Sequence, residues 1–229
     1  MKNKLLVIDV GGTHVKLMVS RKKRRKFKSG PKMTPREMVA QIKIDLKGWK
    51  YDAVAVGFPA PVRNGRIVSD PKHLGKGWVG FNFEKALGKS VRILNDAALQ
   101  ALGSYRGGRM LFLGLGTGLG STLVLPDMIL PLELGDLPYR GHRIIEDFLG
   151  KTGIDELGDK EWEREVHFAV DQLKKSVIAD YIVLGGGNAK KLKKLPKGTE
   201  LGHNRNVFRG GMRLWQNDPR TGRPKWKIF

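Results

Sequence analysis

Two stretches of this chain dictate most of what it can become. "KLLVIDVGGTHVKLMVS" (residues 4–20) and "MLFLGLGTGLGSTLVL" (residues 110–125) each run from apolar residues into a glycine-rich turn and out into apolar residues again. A dinucleotide-binding turn and a P-loop both lead from a strand into a helix. Here the residues after the first turn alternate, His14, Lys16 and Met18 against Val15, Leu17 and Val19. A period of two belongs to a strand, so the unit is predicted to be a β-hairpin; the GxxxxGK[ST] spacing is also absent. A hairpin tip of Gly11, Gly12 and Thr13 gathers several backbone N–H groups in one concavity, which suits phosphate oxygens. Asp9 ends the incoming strand beside that tip, placed to hold water on a Mg²⁺ ion. Gly114, Gly116, Gly118 and Gly120 with Thr117 repeat the arrangement in the second unit, and "VLGGGNAK" (183–190) adds Gly185, Gly186 and Gly187. One such turn passes for an ordinary hairpin, but the combination points to phosphate handling.

The rest of the layout is readable at coarse grain. Residues 4–9 and 14–20 are predicted strands, and the basic run 21–26 is predicted to connect them to a third strand near 27–29. "TPREMVAQIKIDLKGW" (34–49) has a helix start, with Thr34 as N-cap, Pro35 at the first helical position and Glu37 at the third. Met38, Ile42, Ile44 and Leu46 supply its apolar face. "DAVAVGFPAPV" (52–62) is a buried strand running into a Pro-rich turn. "VRILND" (91–96) is a strand ending on a carboxylate before the helix "AALQALGSY". Residues 160–178 form an amphipathic helix, and 180–195 a strand, a glycine turn and a helix start.

Size and charge narrow the class. The 229 residues, 40% hydrophobic with 30 glycines, suffice for one large domain or two small lobes. No cysteine is present, so there is neither a disulfide framework nor a thiolate metal site. No apolar run approaches a bilayer's thickness, and Asp9 and the glycines interrupt any signal-peptide pattern. These features make a cytoplasmic enzyme the expectation. The charge is extreme: 43 Lys and Arg against 22 Asp and Glu, a net +21. "RKKRRKFKSGPK" (21–32) holds eight basic residues and no acid, and residues 186–229 hold twelve against two. Two readings compete: basic loops that aid solubility, or attraction to a polyanion such as nucleic acid, an anionic membrane or polyphosphate.

"DVGGTHVK" (9–16), "GFPAPV" (57–62), "LNDAALQALGS" (94–104), "LGLGTGLGSTLV" (113–124), "LELGDL" (132–137) and "VLGGG" (183–187) occur in an order that resembles the sugar-kinase/actin/chaperone ATPase superfamily. Within it the chain resembles the ROK family, and most of all its polyphosphate glucokinases. The resemblance implies an α/β, two-lobed actin-like ATPase (ribonuclease H-like) fold, with a lobe over residues 1–95, a second over 96–229, and a C-terminal tail free to return to the first. It implies phosphate binding by Asp9, Gly11, Gly12, Thr13 and Lys16 and by Gly116, Thr117, Gly118 and Gly120. Gly185, Gly186 and Gly187 would meet the nucleotide or other donor, and Mg²⁺ would be the cofactor, with Asp9 as its residue. Hexose and ATP or polyphosphate would be the substrates, with no membrane partner and a homodimer as one assembly.

Phosphoryl transfer to a sugar hydroxyl needs a proton acceptor and electrostatic cover for the transferring group. Asp96 matches the family's catalytic base, with Asn95 beside it hydrogen-bonding the sugar. The bland alternative is that Asp96 merely caps the helix that follows. Glu133 matches a sugar-hydroxyl acceptor; Glu146 aligns with a second sugar-binding glutamate, against which stands an ordinary exposed helix residue. The chain also departs from the family. Asp136 stands where a histidine is usual, and the sugar-binding asparagine upstream of a Gly-Trp is replaced in "SDPKHLGKGW" (69–78), with His73 or Lys76 nearby. His142 and His203 have no paired ligand and read as structural or surface residues. Three classes compete: a sugar kinase using polyphosphate or ATP, a repressor, and a catalytically dead polyanion-binding relative. The repressor needs an N-terminal helix-turn-helix, whereas this sequence opens on its first strand. Asp9, Lys16, Asp96 and Glu133 speak against the inactive relative.

Overall fold

The computed structural model describes residues 4–20, 22–203 and 205–229. In chain order these form β1 (Leu5–Val10), β2 (His14–Met18), β3 (Arg24–Lys28), α1 (Pro35–Asp45), β4 (Ala53–Phe58), the small hairpin β5 (Val62–Arg63) and β6 (Arg66–Ile67), α2 (Phe83–Leu87), β7 (Ser90–Asn95) and α3 (Asp96–Ser104). Then follow β8 (Met110–Leu115), β9 (Leu119–Leu125), β10 (Met128–Leu132), α4 (Ile145–Leu149), α5 (Lys151–Ser176), β11 (Tyr181–Gly185), β12 (Thr199–Leu201), α6 (Asn206–Leu214) and β13 (Lys227–Ile228).

The two glycine hairpins seed two sheets of the same plan. The first has the order β3-β2-β1-β4-β7 and the second β12-β11-β8-β9-β10-β13. In each, the hairpin is antiparallel and the strand reached through a helix is parallel, β4 to β1 and β11 to β8. A parallel strand needs cover on both faces, and all six residues of β1 and of β4 are buried. One face of the first sheet packs on Met38, Val39 and Ile42 of α1 and Phe83 and Leu87 of α2. Its other face, with Val7 and Ala55, shares a cluster with α3, α6 and the second sheet's Phe112 and Val183. The second sheet's far face, with Leu113 and Leu184, packs on Leu149 of α4 and Trp162, Val166 and Val170 of α5. The two helices α3 and α6 therefore lie between the sheets, which is the two-lobed α/β arrangement expected.

The α3–α6 contact depends on missing side chains. A methyl at Gly103 would overlap the Asn206 carbonyl oxygen, and one at Gly210 that of Leu99. Gly211 lies against Val7 and Ala55 of the first sheet. Arg213 donates from one guanidinium nitrogen to the carbonyls of Leu102 and Tyr105, 2.7 Å each, holding the C-terminal end of α3.

Several local expectations need correction. β3 begins at Arg24, so Arg24, Arg25 and Lys26 belong to a strand and not to its connection; Arg21 lies outside the described residues. A strand of such composition survives because it is a sheet edge, where cations reach water and discourage a further strand from pairing. The capped start of α1 is as read, Glu37 N–H to Thr34 Oγ1 and Thr34 N–H to Glu37 Oε2. Ile44, however, is 66% exposed, and Val39 takes the buried place assigned to it. The predicted 160–178 helix starts earlier, at Lys151, with a break at Gly158, where φ is 73° and ψ 162°. After the third glycine turn only one 3₁₀ turn forms, Asn188–Lys191. Among the described residues no helix is long and apolar enough to cross a membrane.

Candidate active site

β1 delivers Asp9 to the strand end beside the Gly11–Gly12 turn with its side chain only 9% exposed. Asp9 and Lys16 are direct cross-strand partners, so both project from one face, and Lys16 Nζ lies 2.8 Å from Asp9 Oδ2. The hairpin tip closes through Gly11 N–H to the His14 carbonyl, 3.0 Å. The end of β3 ties this tip down: Ser29 Oγ donates to the Gly11 carbonyl at 2.6 Å and Ser29 N–H to that of Thr13 at 3.0 Å. Gly12 is backed by His73, whose Cβ a methyl there would strike.

Asp96 stands where β7 turns into α3. Asn95 is the cap, its Oδ1 accepting from Ala97 N–H at 2.9 Å and Ala98 N–H at 3.3 Å, while its Nδ2 donates to the Ala60 carbonyl at 3.4 Å. The cap is therefore Asn95, not Asp96, which sets aside the bland alternative for Asp96, and most of the Asn95 amide, expected to hydrogen-bond the sugar, is committed to the backbone. Asp96 is the first helical residue, and its Oδ1 accepts from Ala97 N–H at 2.8 Å. Its carboxyl is pushed from 3.8 up to about 7, first by burial and then by the charge of Asp9, with Glu133 adding to the rise; hydrogen bonds from the backbone of Ala97 and Asp96 oppose it. Asp9, Asp96 and Glu133 thus share one electrostatic neighbourhood.

The second hairpin lies against the first turn of α3, where a methyl on Gly120 would meet Ala97 Cβ at 2.7 Å. Its tip closes through Gly116 N–H to the Gly118 carbonyl, 3.0 Å, and is clamped by Lys151 N–H on the Thr117 carbonyl, 3.1 Å. The third turn joins it: Asn188 Nδ2 donates to the Gly116 carbonyl at 2.7 Å. Gly186 adopts φ 81°, and a methyl there would overlap the Leu115 carbonyl oxygen, a place only glycine fits.

Glu133 follows β10 and precedes the 3₁₀ turn that holds Asp136. Burial, Asp136 and Glu146 raise its pKa, and Lys72 opposes them. Glu146 is no ordinary exposed helix residue: its Oε2 accepts from Leu119 N–H at 2.9 Å, and Lys72 Nζ lies 3.5 Å from its Oε1. Lys72, one residue before the His73 that drew attention in the sequence, is the residue the sequence reading missed. Its loop is pinned by Trp78 N–H on Asp70 Oδ1, 2.8 Å, and Trp78 Nε1 on the Gly75 carbonyl, 2.7 Å. His73 and Lys76 are both exposed, as is His142; His203 Nδ1 accepts from Arg205 N–H at 3.1 Å.

For a metal, the described residues hold no group of three or more His, Cys, Asp or Glu suited to an ion. Mg²⁺ commonly takes one or two carboxylates and completes its shell with water and substrate phosphate. Asp9 fits that use, with Oδ2 held by Lys16 and no protein hydrogen bond on Oδ1 among the described residues.

Comparison with known proteins bears on the family and the fold. The sequence model of the ROK family matches residues 5–153. A glucokinase of Pyrobaculum calidifontis is 28% identical over 154 residues, 62% of this chain and 50% of that protein, so the chain spans half the length of the curated relative it matches. Among solved structures, an inorganic polyphosphate/ATP-glucomannokinase from Arthrobacter sp. strain KM is 20% identical, with 90% of this chain and 95% of that one covered and a TM-score of 0.76. A ROK family glucokinase from Streptomyces griseus, in complex with glucose and AMPPNP, is 15% identical over 90% of this chain and 97% of that one, with a TM-score of 0.69. A ROK family transcriptional regulator, a homologue of the E. coli MLC protein, is 14% identical over 90% of this chain and 76% of that one, with a TM-score of 0.70. The fold is thus the actin-like one these proteins share.

Proposed function

The chain belongs to the ROK family, and from that membership we propose that it is a sugar kinase, moving a phosphoryl group from ATP or inorganic polyphosphate to the 6-hydroxyl of glucose or a similar hexose. The observation that carries the reading is the Asp96 carboxyl, raised to about 7 beside two glycine hairpins. A general base works best with a pKa near the working pH. In this reading Asp96 takes the proton of the sugar hydroxyl as its oxygen attacks phosphorus. Glu133 and Glu146 accept hydrogen bonds from other sugar hydroxyls, and the Asn95 side chain, by capping α3, keeps Asp96 aimed. Backbone N–H groups of Gly12 and Thr13 and of Thr117 and Gly118 hold the donor's phosphates, on turns that Gly11, Gly116 and Gly120 shape; Lys16 neutralises charge there, and Gly185, Gly186 and Gly187 flank the rest of the donor. Asp9 would hold Mg²⁺, which when bound shields the phosphate charge from the attacking oxygen.

The names of the Pyrobaculum and Arthrobacter relatives support the reaction class and both donors. A ROK kinase using ATP alone on a different sugar is the second reading, favoured by the altered loop around Lys72 and by Asp136. A coupled assay for hexose 6-phosphate, run with ATP and with polyphosphate on glucose and mannose, decides between them. Turnover with neither donor on any hexose refutes the proposal.

A further inference from the structure

The alternation of β3 sorts its cations onto two faces. Arg25 and Phe27 are the partners of the buried Leu17 and Val15 and point to the α1 side. There Arg25 donates to the Asp45 carbonyl, and its guanidinium lies 5.5 Å from the centre of the Trp49 ring. Arg24, Lys26 and Lys28 pair with Met18, Lys16 and His14. They therefore stand on the opposite face, the one that carries Lys16 and Asp9. Asp9, Lys16 and Lys26 form one row across three strands. Arg24, Lys26 and Lys28 are all exposed, and none is in an ion pair among the described residues. The row starts at the phosphate turn itself, since Ser29, next to Lys28, bonds to Gly11 and Thr13.

Resting on the donor reading above, we propose that Arg24, Lys26 and Lys28 are a second binding site, a track for the distal part of a long inorganic polyphosphate chain whose terminal group is in the cleft. Four residue steps along a strand span about 14 Å, the reach of several phosphates beyond anything a nucleoside triphosphate extends. The site is one strand wide, with Arg25 and the partly buried Phe27 turned to the other face, and so fits a thin flexible polyanion. Such a chain gains affinity by releasing counterions to each cation it meets. ATP, ending inside the cleft, gains nothing from this row.

The test compares Arg24→Gln/Lys26→Gln/Lys28→Gln with a control of equal charge from exposed lysines in and after α1, Lys43→Gln/Lys47→Gln/Lys50→Gln, using labelled long-chain polyphosphate for binding and ATP and polyphosphate for turnover. The first triple variant should bind long chains at least tenfold more weakly, and the slope of log affinity against log salt should fall by about 2, at ~0.7 per lost phosphate contact. Short chains and ATP should be affected less than twofold. An equal loss in the control variant would reduce the effect to net charge and overturn the track. So would an equal rise in KM for ATP, or weaker binding of single-stranded RNA with polyphosphate binding intact, which would assign the strip to nucleic acid. Failure of the donor reading is separately visible: polyphosphate would then bind through this row yet give no hexose phosphate.

Discussion

Replacing Asp96 by Asn should make the protein inactive and more stable at once. The wild-type carboxyl rises from 3.8 to about 7 on folding. At about 1.4 kcal/mol per unit, ionising it in the folded protein costs about 4 kcal/mol more than in the unfolded chain, an upper figure because the side chain also meets water in the cleft. A net effect of about 2–4 kcal/mol is expected. The sign follows from the raised value. Below pH 4 the group is protonated in both states and has no effect; as pH climbs to 7 the folded state holds its proton longer, and stability is lost until the folded pKa is passed. Asn carries no charge and keeps the bond to Ala97 N–H, and the helix cap is Asn95 in either protein. Urea unfolding at pH 8 should therefore show the variant more stable by about 2–4 kcal/mol, with the gap closing near pH 4. Turnover should fall by about two to four orders of magnitude, and wild-type kcat/KM should rise with pH up to about 7 and then level. A variant no more stable than wild type at pH 8, or one retaining near-normal turnover, would refute the reasoning.

Other substitutions test the remaining parts. Asp9→Ala removes the one carboxylate proposed for Mg²⁺ and should abolish the dependence of any residual activity on that ion, measured by Mg²⁺ titration. Glu133→Gln replaces a pure acceptor with a mixed group and should raise the KM for sugar by about tenfold or more while leaving the donor KM within twofold; the reverse pattern would exchange the two halves of the cleft. Gly210→Ala drives a methyl into the Leu99 carbonyl and should cost about 3 kcal/mol or more in urea unfolding, with activity lost in step because α3 carries Asp96.

The hairpins were legible because alternation and glycine spacing are local signals, and the strand-to-helix junction at Asn95 and Asp96 was legible for the same reason. β3 was half legible: a third strand was readable near 27–29, but its start, Arg24 to Lys26, is three cations in a row that look like a loop, and only the edge position makes them strand. α6 was equally opaque. "NVFRGGMRL" places two glycines in mid-helix, where each costs about 1 kcal/mol relative to Ala, and the reason lies in contacts with α3 and β1. In the site, the glycines and carboxylates could be named from their motifs. The cap role of Asn95 turns on which oxygen faces Ala97 N–H, and that of Lys72 on a partner, Glu146, far along the chain. Neither is written in local sequence.

The glycine-lined crossing of α3 and α6 also bears on how the molecule is made. Val7 and Ala55, in the first sheet, are covered by Gly211 near the other end of the chain. A ribosome emitting this protein therefore releases the first lobe with one apolar face open, and keeps it open until α6 has emerged. Contacts of such long sequence separation are closed late and slowly. The helix that carries Asp96 is thus seated only in the last act of folding. A nascent chain should carry an unfinished cleft and an aggregation-prone surface together, both removed by the same short helix.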